Sequence, residues 1–180
     1  MLKQTFKIGA LAISLRPVDW SADEAFLAGL MTALKAEEAA AAGVTLPREA
    51  LLPFAADQSR LQTLDYRRRF PHLVAAVILA DGAPVGRVYL DEGMFENRIV
   101  DITLAPQKRG MGIGGAVLRW VVDEADRTGR TVALTVRGGN IGARRLYERL
   151  GFVEIGGSAE DREMKKKPGA VGDDARNRST

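Results

Sequence analysis

The chain has 180 residues, 46% hydrophobic and 27% charged, which suits one soluble globular domain with a sizeable core. It has no cysteine, so disulfides and thiolate chemistry are excluded, and its single histidine, His72, leaves no room for a His-rich metal site. The net charge of +3 equals the balance of Lys165, Lys166, Lys167, Arg176 and Arg178 over Asp173 and Asp174, so the basicity belongs to a polar tail and not to the body. Nucleic-acid binding is therefore not expected. No apolar run approaches a membrane span, and Lys3 and Lys7 lead into no continuous apolar stretch, so neither membrane insertion nor a signal peptide is expected. The expectation is a cytoplasmic protein with one domain over residues 1–166 and a disordered tail over 167–180.

In chain order, Ala10–Leu15 reads as the first strand, ended by Arg16-Pro17. Ser21 with Glu24 three residues on predicts a capping box, and Phe26, Leu27, Leu30, Met31 and Leu34 give the following helix an apolar face up to Gly43. Leu46–Phe70 reads as a second helical region, interrupted near Pro53 and packed through Leu61, Leu64 and Tyr66; Gln58, Arg60, Gln62, Arg67 and Arg68 decorate it. Strands follow at Leu73–Ala80 and Val85–Leu90, joined by the hairpin signal Asp81-Gly82-Ala83-Pro84. Arg98–Leu104, with Ile99, Val100, Ile102 and Leu104, reads as a strand buried on both faces that stops before Pro106. Ile113, Val117, Trp120, Val121 and Ala125 then recur at helical spacing, with Gly129 as the cap. Thr131–Val136 is a further strand, Asn140 the N-cap of a helix that ends at Gly151, and Phe152–Ile155 with Arg162–Lys166 a last hairpin.

The strand–turn–helix from Arg98 onward carries the chemistry. The first N–H groups of a helix have no partner within it, and the helix dipole places partial positive charge there. Gly110, Gly112 and Gly114 leave the main chain open to close approach, and Lys108 and Arg109 add cations, which together predict a cradle for a phosphate or pyrophosphate. A Walker loop is excluded, because Gly114 is followed by Gly115-Ala116 in place of Lys-Ser/Thr. Gly110, Gly112 and Gly115 formally satisfy the dinucleotide fingerprint. That turn should follow its strand at once, however, and the stretch after Gly115 is short for a doubly wound sheet.

Gln107-Lys108-Arg109-Gly110-Met111-Gly112 fits Q/R-x-x-G-x-G/A, and Asn140 through Ala143, Leu146, Tyr147, Gly151 and Phe152 fits N-x-x-A-x-x-L-Y-x-x-x-G-F. With both blocks in order, the chain from about Ile99 to Phe152 resembles the Gcn5-related N-acetyltransferases. The resemblance implies an α/β class, the GNAT (acyl-CoA N-acyltransferase) fold. That is a mixed, mostly antiparallel central sheet flanked by helices and splayed between the strands 98–104 and 131–136, in the order β-α-α-β-β-β-α-β-α-β-β. It implies acetyl-CoA as cosubstrate and no metal. The pyrophosphate would sit on the amides of Arg109, Gly110, Met111, Gly112, Ile113 and Gly114, beside Gln107, Lys108 and Gly115. The pantothenate arm would pair with the main chain of Ile102, Thr103 and Leu104, and a backbone N–H near Leu104 would polarise the thioester. Asn140, Ala143 and Tyr147 would also contact the cofactor.

By the same resemblance Tyr147 is the general acid, since a phenol can return a proton to a thiolate of similar basicity. Some family members carry a glutamate five residues ahead of the asparagine; here that position is Thr135. Asp101 is then the candidate base and Glu92 the second choice. The implied partner is a small-molecule or peptide amine, and a homodimer is common in the family. Two rivals stand beside this reading: a non-catalytic acyl-CoA-binding module on the same fold, and an NADP-binding domain with Arg137 on the 2′-phosphate.

Overall fold

The computed structural model describes residues 4–45 and 47–169, and the chain divides into two compact units: Met1–Asp91 with Val100–Gly114, and Glu92–Ile99 with Gly115–Thr180. The tail from residue 170 and Leu46 lie outside the described residues.

The first unit begins with a strand that the sequence pattern did not announce, β1 (Gln4–Ile8), which pairs antiparallel with β2 (Leu11–Pro17) from Gln4↔Leu15 to Ile8↔Leu11. Its five residues show too little apolar periodicity to stand out from a loop. Helices α1 (Glu24–Ala41) and α2 (Arg48–Arg69) follow and pack on each other. Strands β3 (Leu73–Ala80) and β4 (Ala83–Glu92) complete an antiparallel meander, with β2 paired to β3 from Ile13↔Ala80 to Pro17↔Ala76. The hairpin turn is tighter than expected: Asp81 and Gly82 alone span it, with φ of 48° and 81°, and Ala83-Pro84 already belong to β4. The core of this unit holds Ile13, Leu15, Val77, Ile78, Val88 and Tyr89 with Leu27, Leu30 and Met31 of α1 and Leu51 and Ala55 of α2. Each large aliphatic side chain so buried contributes about 1.5–3 kcal/mol.

The first helix is not capped by the expected box. Ser21 donates its N–H and hydroxyl to Asp19 Oδ1, Ala22 donates there too, and α1 starts after Asp23 with no side-chain cap. Asp19 lies close enough in sequence to capture those amides first. Pro53 stands inside α2 without ending it. Leu61 and Leu64 are 60% and 61% exposed, while Ser59 and Thr63 are buried with Leu51 and Ala55, so the packed face of α2 turns polar toward its C-terminal half.

Strand β5 (Glu96–Leu104) begins earlier than expected and supplies both units. It is not buried on both faces: Asn97 and Ile99 are buried, and Val100–Leu104 are half-exposed. Gly86 explains the close fit on its β4 side, for a Cβ there would lie 2.4 Å from the Thr103 carbonyl oxygen.

In the second unit, Glu96–Ile99 pair in parallel with Thr131–Leu134 of β6 (Thr131–Arg137), the connection passing through the helix α3 (Ile113–Arg127), as a parallel pair requires. The parallel register stops at Ile99↔Leu134, which is the expected splay. Helix α4 (Ile141–Arg149) leads to β7 (Val153–Gly157) and β8 (Asp161–Lys166); β8 pairs antiparallel with both β6 and β7. The buried face of α3 is broader than its spacing suggested, adding Ala116, Leu118 and Val122 to Val117, Val121 and Ala125. Lys166 Nζ ties β8 to Asp126 of α3 at 2.8 Å, and that ammonium with the Gly169 N–H outweighs burial to hold the Asp126 carboxyl below its ordinary value. The strand order is β1-β2-β3-β4-β5-β6-β8-β7, mostly antiparallel with β5–β6 as a parallel pair. Among the described residues no helix is long and apolar enough to cross a membrane.

Candidate active site

Beyond β5 a single 3-10 turn, Pro106–Lys108, leads to Gly110 and Gly112, both left-handed with φ of 74° and 80°. The Lys108 and Arg109 amides close that turn on Ala105 and Pro106. Among the described residues, the N–H groups of Gly110, Met111 and Gly112 find no acceptor within the protein, and those of Ile113 and Gly114 open α3. A Cβ on Gly110 would meet nothing within 4 Å, so the space over the turn is open. A run of free amides before a helix fits a diphosphate, which needs donors and close main-chain approach.

The two cations beside it differ. Arg109 turns back, donating Nε to the Leu104 carbonyl at 3.1 Å and Nη1 to Glu37 of α1 at 2.7 Å. Its charge is thus matched by a carboxylate, and it braces the end of β5 against α1. Lys108 stands half-exposed on the turn. The main chain of Ile102, Thr103 and Leu104 lies past the end of the β5–β6 pairing, on the half-exposed part of the strand.

Asp101, on the same stretch, is ion-paired. Its Oδ2 accepts from Arg87 Nε at 2.7 Å, and Thr103 Oγ1 lies 3.2 Å from Oδ1. Arg87 is 2% exposed on its side chain and Asp101 19%, so the cation is buried and the anion reaches solvent. Arg87 Nη2 also donates to Gln62 Oε1 of α2 at 2.6 Å, which joins β4, β5 and α2 through one guanidinium. Burial opposes that charge, yet Asp101 and the neighbouring tyrosines hold the Arg87 pKa raised. Tyr89 packs edge-on against Trp20 and Tyr66, at ring separations of 6.2 and 6.0 Å, and burial pushes the phenols of Tyr66 and Tyr89 up. Among the described residues, Arg87 Nη1 and the Tyr89 hydroxyl are buried without a well-formed hydrogen bond. Helical spacing assigns Gln62 to the surface, and the signal in the sequence for Arg87 is an arginine inside the apolar strand Val85–Leu90.

In the second unit, Asn140 caps α4, its Oδ1 accepting the Ala143 N–H at 3.1 Å. Tyr147 is buried on α4 with its ring 5.8 Å from that of Phe152. Gly115 is buried in α3, a Cβ there lying 3.5 Å from Leu146. Thr135 is exposed on β6 and faces Glu163 of β8 in register, with Arg98 donating to both, at 3.5 and 2.7 Å. A carboxylate therefore stands beside the position where some relatives carry theirs, engaged with an arginine. Glu92 ends β4, half-buried.

Known proteins bear on this arrangement directly. Residues 45–152 match the model of the acetyltransferase (GNAT) family. The [ribosomal protein bS18]-alanine N-acetyltransferase of Escherichia coli (strain K12) is 39% identical over 71 residues, which are 39% of this chain and 45% of that protein. The chain thus spans less than half the length of the curated relatives it matches. Among solved structures, RimJ of Mycobacterium smegmatis in complex with CoA-disulfide superposes with a TM-score of 0.66 at 19% identity, over 93% of this chain and 87% of that one. The PaiA N-acetyltransferase of Thermoplasma acidophilum in complex with coenzyme A gives 0.62 at 18% identity, over 86% and 98%. These likenesses carry the fold, and the family model covers more than half of the chain. The chain belongs to the GNAT acetyltransferase family.

Proposed function

We propose that this protein transfers the acetyl group of acetyl-CoA to a primary amine by direct attack in a ternary complex. The observation that carries the reading is the row of unpartnered amides at Gly110, Met111 and Gly112 ahead of α3, within the segment matched to the family. The coenzyme A held by two structural neighbours and the alanine acceptor of the bS18-directed relative support the same chemistry. When bound, the thioester supplies an electrophilic carbonyl: a carbon–nitrogen bond forms, the carbon–sulfur bond breaks, the ammonium loses two of its three protons, the departing thiolate gains one and the other passes to solvent.

The chain's own groups divide the work. The amides from Gly110 to Gly114, with Gln107 and Lys108, hold the diphosphate, the Arg109 amide expected among them being taken by the Pro106 carbonyl, and the main chain of Ile102–Leu104 aligns the arm like an added strand. Asp101 takes the proton from the amine. Arg87 and Thr103 hold its carboxylate in place and leave lone pairs for that proton. Tyr147 returns a proton to sulfur. A second reading, an acyl-CoA-binding module without turnover, draws on Thr135 at the position of the family's glutamate.

Free-thiol release from acetyl-CoA across a panel of amines separates the two readings. Coenzyme A should also raise the melting temperature of the wild-type protein, and Gly112→Val should abolish that rise, because valine disfavours φ near 80° and fills the open turn. An unchanged rise in the variant overturns the proposed cradle.

A further inference from the structure

Between helices α1 and α2 lies a solvent-open cavity of about 290 Å³ that the proposed roles leave unused. Its walls are apolar: Leu27 and Ala28 of α1, Ala56 and Leu64 of α2, and the edge of Trp20. Three charged side chains line it, Glu24, Arg60 and Arg67. Arg60 is neutralised by Glu24, to which it donates Nε at 2.7 Å, with Asp57 3.7 Å away. Arg67 has no carboxylate partner among the described residues; its guanidinium lies 4.3 Å over the Trp20 ring, an arrangement that fixes the plane and leaves the charge unmatched. Thr63 and Trp20 also line it; Trp20 packs edge-on against Tyr89, and Tyr89 lies against Arg87, the partner of Asp101.

We infer that this cavity receives an acceptor with an apolar body and a carboxylate, a hydrophobic amino acid or a close analogue, with the carboxylate on Arg67 and the amine directed inward toward Tyr89 and Asp101. The apolar walls exclude a polycationic amine, which would also meet the positive balance of the lining. The size suits a single small molecule, being near the lower end of ligand pockets. Arg67 is the residue that sets specificity, since its planar fork matches a carboxylate bidentately. The inference rests on the acetyl-transfer reading for its chemistry, though not for its binding site.

The test compares L-phenylalanine with phenethylamine, which lacks the carboxylate, as acceptors and as ligands. Thiol release should favour L-phenylalanine in kcat/KM, and Arg67→Gln should cut that preference about tenfold, the worth of a charge-assisted hydrogen bond. The effect should lie in KM, and Arg67→Lys should restore part of it. Arg68→Gln, an exposed charge outside the cavity, should leave the preference as it is. If no amine releases thiol, the acetyl-transfer reading fails. The cavity is then judged by calorimetric titration of L-phenylalanine alone, where binding weakened by Arg67→Gln upholds it and absent or unaffected binding refutes it. Equal turnover of the two amines, or a preference that survives Arg67→Gln, overturns the inference while leaving acetyl transfer intact.

Discussion

Removing either member of the Arg87–Asp101 pair should unfold more of the protein's stability than any surface ion pair, and the two losses should differ. Arg87 is 2% exposed and Asp101 19%, joined at 2.7 Å. Asp101→Asn leaves a guanidinium almost fully buried with no counter-charge, the situation that costs about 3–5 kcal/mol. Arg87→Met leaves a carboxylate that still has Thr103 and some water, so its cost should fall at or below the lower end of that range, although the bond to Gln62 is lost as well. Arg87→Met combined with Asp101→Asn removes both charges and should cost less than the sum of the two single changes. Urea unfolding reads this as shifts in midpoint at constant slope, and each kcal/mol should appear as roughly 2–4 °C in melting temperature. Single variants that each cost less than about 1 kcal/mol, or costs that add fully in the double variant, would refute the view that this pair links β4, β5 and α2. Kinetics separate a second role: if Asp101 is the base, Asp101→Asn should lose far more kcat than Arg87→Met, whereas equal losses would make the carboxylate structural.

Asp23 is the acid-sensitive joint of the first unit. Arg16 donates to both its oxygens, at 2.7 and 2.6 Å, and the Asp19 N–H adds a third bond, which holds its pKa below the ordinary carboxylate value. A depressed native pKa means stabilisation that is present above about pH 3.9 and is lost as pH falls through the native value. Asp23→Asn should therefore cost about 2 kcal/mol at neutral pH, and its urea midpoint should converge on that of the wild type in acid; a gap that persists at low pH contradicts the assignment. Tyr147→Phe should lower kcat by about a hundredfold or more with little change in coenzyme A affinity, and should remove the alkaline limb of the pH–rate profile. A variant that keeps both rate and limb would return Tyr147 to packing against Phe152.

What could be read from the sequence, and what could not, divides by the range of the interaction. Gly110, Gly112, Gly129, Gly151 and Asn140 act through their own main chain or that of close neighbours. Each does in the structure what its residue type requires: the glycines have positive φ, and Asn140 caps the helix three residues on. The strands β3 and β6 and the helix α3 likewise follow from apolar spacing alone. Where a partner far along the chain decides the outcome, local spacing misleads. Asp23 and not Ser21 stands at the head of α1 because Arg16 and Asp19 claim the side chains around it. Helix α2 is the extreme case: Gln62 turns inward to a buried arginine 25 residues away, Ser59 and Thr63 follow it into the interior, and Leu61 and Leu64 are carried out to solvent. A hydrophobic pattern presumes that the apolar residues are the packed ones, which holds for Leu51 and Ala55 and fails where Gln62 meets the buried guanidinium of β4. The glycine turn and the free amides on which the proposed coenzyme cradle rests could thus be anticipated from local sequence. The proposed acceptor cavity lies against this helix, and its chemistry depends on long-range pairing that spacing does not reveal: among the described residues Arg60 has a carboxylate partner and Arg67 has none.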